Sequence, residues 1–401
     1  MAGGVETYLG ALVPALLERG HEVSLLHEVD LPRDRPPITT TVPQWCTAGE
    51  GTEAALARLE AWKPDVIFSQ GLEDPLLDAR VARIAPAVLF AHAYRGTCVS
   101  GTKSFAARAH ATCRRRLGWQ CLVHYFPDRC GGLNPLTMAK LYRRESQRRD
   151  LLDQYAGVVM FSEYIRREYV SHGVARRRTH RLPCHVPSAS HFAPRRMPDS
   201  AALPSRILFI GRMEELKGGH VLLDALPIVQ TSLARSLHVS FVGDGRLCAE
   251  WEAQATRLFP ADAGSRVQFT GWVGPEERTR LLGDADLLVV PSLWPEPFGL
   301  IGLEAAACGV PAAAFDVGGI SEWLHDGVNG YLAAADPPRA EHLASAIIKC
   351  LQDRSIQAAL SRGALEIAAR HSMPAHVTAL LEVLTAAASP ASHVDTDDPA
   401  A

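Results

Sequence analysis

The chain has 401 residues and a mass of 43.5 kDa, with 47% hydrophobic and 21% charged residues, which suits two folded domains of roughly 150–200 residues and excludes a disordered chain. No run reaches the ~18 uninterrupted apolar residues of a membrane-spanning helix, and the opening MAGGVETYLG has neither the basic start nor the apolar core of a secretory signal. Nine cysteines are too sparse for a disulfide scaffold, so the expected compartment is a reducing cytoplasm, and the net charge of -3 conceals a basic first half (27 Lys+Arg against 20 Asp+Glu in 1–200) and an acidic second half (14 against 24).

Apolar strand-like runs alternate with amphipathic helix-like runs along the whole length. A glycine turn, Ala2-Gly3-Gly4, opens directly into a helix over Gly4–Arg19, where an α/β chain normally supplies a strand first; either the true start lies upstream or the domain lacks a central strand. Short buried strands are expected at Val23–His27, Val66–Ser69, Ala87–Ala91 and Val158–Ser162. Pro183–Pro204 carries five prolines and reads as a linker. Beyond it come strands at Ile207–Ile210, His238–Val242, Val267–Thr270, Leu287–Pro291 and Val310–Phe315. Helices are expected at Gly219–Leu226, Pro275–Leu282, Leu300–Cys308 and Ala340–Asp353, and a last one near Pro374–Ala386. The expected division is a first domain over 1–190, a linker over 191–204, a second domain over 205–370, a returning helix over 371–386 and a disordered tail over 387–401. Strand–helix alternation implies α/β architecture with parallel sheets, whose ligands bind at the carboxyl ends of the strands.

Four segments at such strand ends carry chemistry. In LLVVPSLWPEPFGLIGLEAAACG (Leu287–Gly309), Glu296 lies in the loop after a strand and Glu304 in the following helix. Two carboxylates at a helix mouth suit hydroxyl groups, while the free N–H groups there suit an anion. In ILFIGRMEELKGG (Ile207–Gly219), Gly211, Arg212 and Lys217 follow a strand and could neutralise a diphosphate. Gly243-Asp244-Gly245 lets a ligand approach the backbone, and Phe269-Thr270-Gly271-Trp272-Val273 offers a strand end where a flat base could lie.

These segments, in this order, resemble the retaining nucleotide-sugar glycosyltransferases of family 4, which have the GT-B fold: two Rossmann-like parallel-sheet domains facing a cleft. EPFGLIGLE after VVPS is similar to the family's Glu-x7-Glu hallmark, FIGRMEELKGG to its donor motif, FTGWV to its base-binding loop and Gly3-Gly4-Val5-Glu6 to its amino-terminal turn. The resemblance implies that Arg212 and Lys217 bind the donor pyrophosphate, Glu296 the transferred sugar, and Glu304 the ribose. Phe298, Gly299 and Leu300 would offer backbone N–H groups, Gly3 and Gly4 would face the phosphate, Val273 would pair with the base, and His92, at the end of strand Ala87–Ala91, would lie beside the sugar. It further implies a nucleotide-sugar donor, front-face attack by the acceptor, and no metal or other cofactor. Asp284-Ala285-Asp286 reads as a helix end and Asp395-Thr396-Asp397 lies in the tail, so neither is a good metal site. Nothing here points to nucleic acid.

Residues 93–150 are hard to align, though they look similar to a cysteine-rich insert that some family members carry after the position of His92. They hold Cys98, Cys113, Cys121 and Cys130 at irregular spacing, read as free thiols in preference to zinc ligands or disulfides, together with Arg114–Arg116, Arg143 and Arg144. An acceptor lid, a patch for the anionic inner face of a membrane and a solvated face all stay open for them. Three further activities compete with transfer: a phosphorylase sharing the cleft, a degenerate protein without turnover, and a dinucleotide oxidoreductase. The last predicts Gly-x-Gly-x-x-Gly after a first strand, which neither glycine segment completes.

Overall fold

The computed structural model describes residues 4–28, 41–185, 204–260 and 264–389. Gly3, most of the expected linker, Asp395, Asp397 and the tail from residue 390 lie outside the described residues.

The first half contains strands β1 (Leu25–His27), β2 (Gln44–Cys46), β3 (Ile67–Ser69), β4 (Ala87–Phe90), β5 (Ser104–Phe105), β6 (Ala111–Thr112), β7 (Gly157–Met160) and β8 (Thr179–Arg181). A parallel sheet runs β3-β4-β7-β8, β1 and β2 form a separate parallel pair, and β5 and β6 form a small antiparallel hairpin. Every residue of β4 and β7 is buried, which is why both read as unbroken apolar runs. One face of this sheet packs on the helices Gly4–Leu17 and Met373–Ala388: Tyr8, Leu12, Phe90, Val159, Val377 and Leu380 share one cluster. The last helix therefore lies on the first sheet. Arg19 reaches it as well, donating to Thr378 Oγ1 at 2.9 Å. The opposite face packs on Leu151, Tyr155, Ile165 and Tyr169.

The second half contains β9 (Ser205–Ile210), β10 (Leu237–Val242), β11 (Arg266–Gly271), β12 (Leu287–Val290), β13 (Ala312–Phe315) and β14 (Gly330–Ala333), in one parallel sheet of order β11-β10-β9-β12-β13-β14. The chain winds outward in one direction from β9 and in the other from β12. The carboxyl ends of those two strands therefore flank a topological switch point, where crevices open in such sheets.

Elements beyond those read from sequence have physical reasons. β2, β8 and β14 are edge strands of three or four residues, too short for a periodic signal. The helix expected to stop at Leu226 runs from Gly219 to Leu233, through Pro227, because Leu222, Leu223, Leu226 and Val229 bury one continuous face. The run expected to reach Asp353 ends at Leu351. Asp353 instead caps the next helix, Arg354–Ala369, its carboxylate accepting from Ser355 N at 2.7 Å and Ile356 N at 3.2 Å.

Candidate active site

β12 ends before Pro291, which has no N–H to extend the ladder. The chain then crosses the strand ends before helix Leu300–Ala307 begins. This crossing buries Glu296, which is 6% exposed. Glu296 Oε1 accepts from Lys217 Nζ at 2.6 Å and from Ser292 Oγ at 2.6 Å. Burial pushes this carboxyl up. The charge and hydrogen bond of Lys217, with Ser292 and Trp294, outweigh burial and hold it below the usual carboxylate range. Lys217 Nζ also lies 5.5 Å from the centre of the Trp294 ring. The ammonium reaches this point because the turn at Gly218 presses against the end of β12. Gly218 has φ +68°, and a Cβ there would stand 1.8 Å from Pro291 O.

The crossing is held from both halves of the chain. From the second half, Gly319 N donates to Glu296 O at 2.7 Å and Trp323 Nε1 to Phe298 O at 2.7 Å. Gly318, at φ +62°, leaves no room for a side chain: its Cβ would stand 2.2 Å from Glu296 O. From the first half, Tyr94 Oη donates to Pro295 O, and Ser162 Oγ donates to Pro297 O at 2.6 Å.

A cavity of about 390 Å³ opens between the two sheets at this level. His92, Lys217, Glu296, Phe298, Gly299 and Leu300 all line it, so six of the residues singled out from sequence meet in one place. Leu300 and Ile301 begin their helix here, with the unbonded N–H groups that every helix start presents. Across the cavity, His92 Nε2 lies 2.7 Å from Gln70 Oε1. Burial, with a smaller push from Arg95, brings this imidazole down to about 4, so it is neutral at pH 7. In the tautomer that donates to Gln70, Nδ1 is left as an acceptor.

The remaining described residues singled out from sequence do not line this cavity. Glu304 is buried, 8% exposed, with Oε2 3.3 Å from Arg278 Nη2 but outside hydrogen-bond geometry. Burial raises its carboxyl pKa, which Arg278 offsets in part. Arg278 comes from helix Pro275–Asp284, which Gly274 separates from Val273, so the expected base loop and the expected ribose carboxylate are linked through one short stretch of chain. Gly211 and Gly243 meet backbone to backbone at the ends of β9 and β10, Gly211 N donating to Val242 O at 3.0 Å. Arg212 does not line the cavity. It is exposed, with Nη1 3.3 Å from Glu214 Oε1. Gly4 opens the first helix.

Asp284 ends its helix paired with Arg280, and Asp286 Oδ2 accepts from Arg206 N at 2.6 Å. Among the described residues no group of three His, Cys, Asp or Glu is placed to hold a metal ion, and all nine cysteines are free. Sequence reasoning missed Ser292, Trp294, Gly318, Tyr94 and Ser162. Two of these carried a signal: Gly318-Gly319 follows the end of β13, and Ser292 follows the end of β12.

Comparisons with known proteins bear on the family and the fold. The family model described as Glycosyltransferase Family 4 matches residues 2–189, and that described as Glycosyl transferases group 1 matches residues 204–353. The D-inositol 3-phosphate glycosyltransferase of Thermobispora bispora is 36% identical over 186 residues, which are 45% of this chain and 43% of that protein. The glycogen synthase of Mycobacterium tuberculosis is 33% identical over 153 residues, 37% of this chain and 34% of that protein. The chain thus spans less than half the length of these curated relatives. Among solved structures, HepE of Anabaena in complex with UDP and glucose superposes with a TM-score of 0.67 at 20% identity, covering 97% of each chain. The glycosyltransferase of Rickettsia africae superposes with 0.67 at 15% identity, covering 97% of this chain and 96% of that one. With two models that together span both halves and a whole-chain superposition on GT-B structures, the chain belongs to the family 4 glycosyltransferases and has the GT-B fold.

Proposed function

We propose that this protein transfers a sugar from a nucleotide-diphosphate sugar to an acceptor, with retention of anomeric configuration. The carrying observation is the Lys217–Glu296 pair, fixed at the β9/β12 switch point and facing His92 across one cavity. Lys217 and the start of helix Leu300–Ala307 supply positive potential for a departing diphosphate. Arg212, exposed at the end of β9, is free of the cavity wall and can turn toward the same phosphates. Glu296, ionised and already bound to Lys217, accepts hydrogen bonds from sugar hydroxyls. Among the described residues lining the cavity it is the one carboxylate, and its tie to Lys217 and Ser292 makes it a poor nucleophile. That supports front-face attack, with the leaving phosphate taking the acceptor proton. Because protein cations serve the diphosphate, we expect chelator to leave turnover unchanged. The UDP bound by HepE makes uracil the first base to try.

For the acceptor side we propose contact with an anionic lipid surface. Residues 101–144 hold nine Lys+Arg and one acid, Asp128. Asp128 is buried between Arg108 and Arg115. Trp119, Val123, Leu133 and Leu136 stand exposed on the same segment, the two leucines at 79% and 80%.

The test is thermal shift with UDP, GDP and ADP and their sugars, followed by product analysis of the anomeric carbon. A shift with one nucleotide and a retained product supports the reading. Sugar phosphate formed only with inorganic phosphate would make it a phosphorylase, and no shift with any nucleotide would make it a protein without this activity.

A further inference from the structure

The insert over residues 93–150 reaches the second half of the chain. Its hairpin, β5 and β6, brings His110 to the turn that carries Lys217: His110 Nε2 lies 3.3 Å from Glu215 Oε1. Glu215 opens the short turn Glu215–Lys217, two residues ahead of the lysine. Residues 106–109, next to His110, are exposed, yet the His110 side chain is only 10% exposed. The imidazole, and not the rest of the tip, has left water.

The hairpin is held stiffly from its base upward. Buried Lys103 pairs with Glu168 at 2.6 Å and donates to Arg115 O at 2.6 Å, which ties the base to helix Glu163–Ser171. Cys113 N donates to Lys103 O at 2.7 Å, and His110 N to Phe105 O at 3.0 Å. The guanidinium groups of Arg108 and Arg115 stand 5.5 and 4.9 Å from the centre of the Phe105 ring, and both pair with Asp128. Ala109 and His110 have φ of +47° and +60°, a region that non-glycine residues occupy only where their surroundings hold them.

The far side of the contact leads into the candidate active site. Leu293 N donates to Leu216 O at 2.9 Å, so the turn is laced to the loop that carries Glu296. Lys217 closes the turn and reaches Glu296 from it. Within its own half the Glu215 carboxylate meets Arg246 at 3.8 Å, beyond hydrogen-bond distance, so the imidazole of the opposite half supplies the closer contact. We infer that His110 is a positioning residue: donating from Nε2 to Glu215, it clasps the lysine turn across the cleft and sets where the Lys217 ammonium stands. A hydrogen bond to a carboxylate is stronger than one between neutral groups, which suits a clasp made by a single contact. What Lys217 then does to a diphosphate rests on the transferase reading; the clasp itself does not.

The test compares His110→Ala, Glu215→Ala, the double variant, and His110→Gln, whose amide can still donate. Hydrogen exchange at the Leu293 amide, read without nucleotide, reports on the turn whether or not the protein transfers sugar. Loss of one hydrogen bond should raise that exchange about fivefold in His110→Ala and in Glu215→Ala, with no further rise in the double variant and a return to within about twofold of wild type in His110→Gln. In turnover with a nucleotide-sugar donor, His110→Ala should lower kcat about tenfold and change the donor KM less than about twofold, because the ammonium stays near the diphosphate but loses its alignment with the charge that develops there. Unchanged exchange at Leu293 in His110→Ala, or rises that add in the double variant, overturns the inference. Raised exchange with kcat unchanged overturns the positioning role. Raised exchange in a protein that transfers no sugar supports the clasp and overturns the transferase reading instead.

Discussion

Replacing Lys217 by Met tests whether the site rests on a buried ion pair. Glu296 would keep Ser292 but lose the ammonium 2.6 Å away. Two charges 4 Å apart attract by about 4 kcal/mol at an effective dielectric near 20. Removing one partner of a buried pair costs about 3–5 kcal/mol. The Lys217 side chain is 24% exposed and so partly screened; a cost below that range, about 2–3 kcal/mol at pH 7.5, is expected. The pH dependence should invert as well. In the native protein the lowered Glu296 carboxyl contributes stability above its unfolded pKa and loses it as pH falls through the folded value. Without Lys217, only the hydrogen bonds of Ser292 and Trp294 oppose burial, and the carboxyl rises. The variant then gains stability relative to wild type as pH falls from 7.5 to 5.5. Urea unfolding at both pH values measures this gap. Adding Glu296→Gln to the Lys217→Met variant removes the stranded charge and should recover stability, while turnover stays down by about 10²-fold or more. A gap that is the same at both pH values, or a double variant as unstable as the sum of the singles, would refute the ion-pair reasoning.

Four other outcomes follow from the same geometry. Glu304→Gln should leave stability at pH 8 unchanged or about 1 kcal/mol higher, since burial disfavours the charged form. The same variant should weaken nucleotide binding about tenfold by calorimetry, and unchanged binding would remove Glu304 from the ribose site. His92 is held near 4 when folded, so its neutral form contributes stability above ~6.5 that is lost as pH falls toward 4; His92→Phe should flatten that part of the stability profile in denaturant titrations. Gly318→Ala drives a methyl against Glu296 O and should cost at least about 1–3 kcal/mol in thermal melts, with turnover falling further than stability explains. Trp119→Ser with Leu136→Ser should abolish flotation with vesicles of mixed anionic and neutral phospholipid and leave hydrolysis of the donor unchanged; flotation that persists would place lipid contact elsewhere.

The second half was far more legible than the first, and the reason is burial. β9, β12 and β13 are covered on both faces, so their apolar runs stand out, and the loops after them carry charges spaced for one cavity. Lys217 and Glu296 are 79 residues apart in sequence. Only the premise that both follow parallel strands brings them to one edge. Arg212 shows the limit of that logic: the strand end fixes its backbone, yet its long side chain pairs with Glu214 and points to solvent. Tyr94 and Ser162 were illegible because their partners are the carbonyl oxygens of Pro295 and Pro297, and a carbonyl acceptor leaves no trace in residue type. That β1 and β2 form a pair separate from the β3-β4-β7-β8 sheet among the described residues was not legible, because β1, β2 and β3 are each only three residues long.

The loop from Ser292 to Gly299 ties these observations together, because its supports are of two kinds. Lys217, Ser292, Gly319 and Trp323 belong to the same half of the chain as Glu296 and hold it whatever the first half does. Tyr94 and Ser162 belong to the other half and reach Pro295 and Pro297 only with the cleft as described. A neutral hydrogen bond is worth about 1 kcal/mol net. Two such bonds shift a balance between closed and open clefts by roughly 10–30-fold. The carboxylate proposed to accept sugar hydroxyls is therefore placed by its own domain, while the backbone on either side of it registers whether the opposite domain, with His92, has arrived. On the proposed reading, binding a sugar between His92 and Glu296 and closing the cleft favour each other, because both act on the same eight residues, Ser292–Gly299.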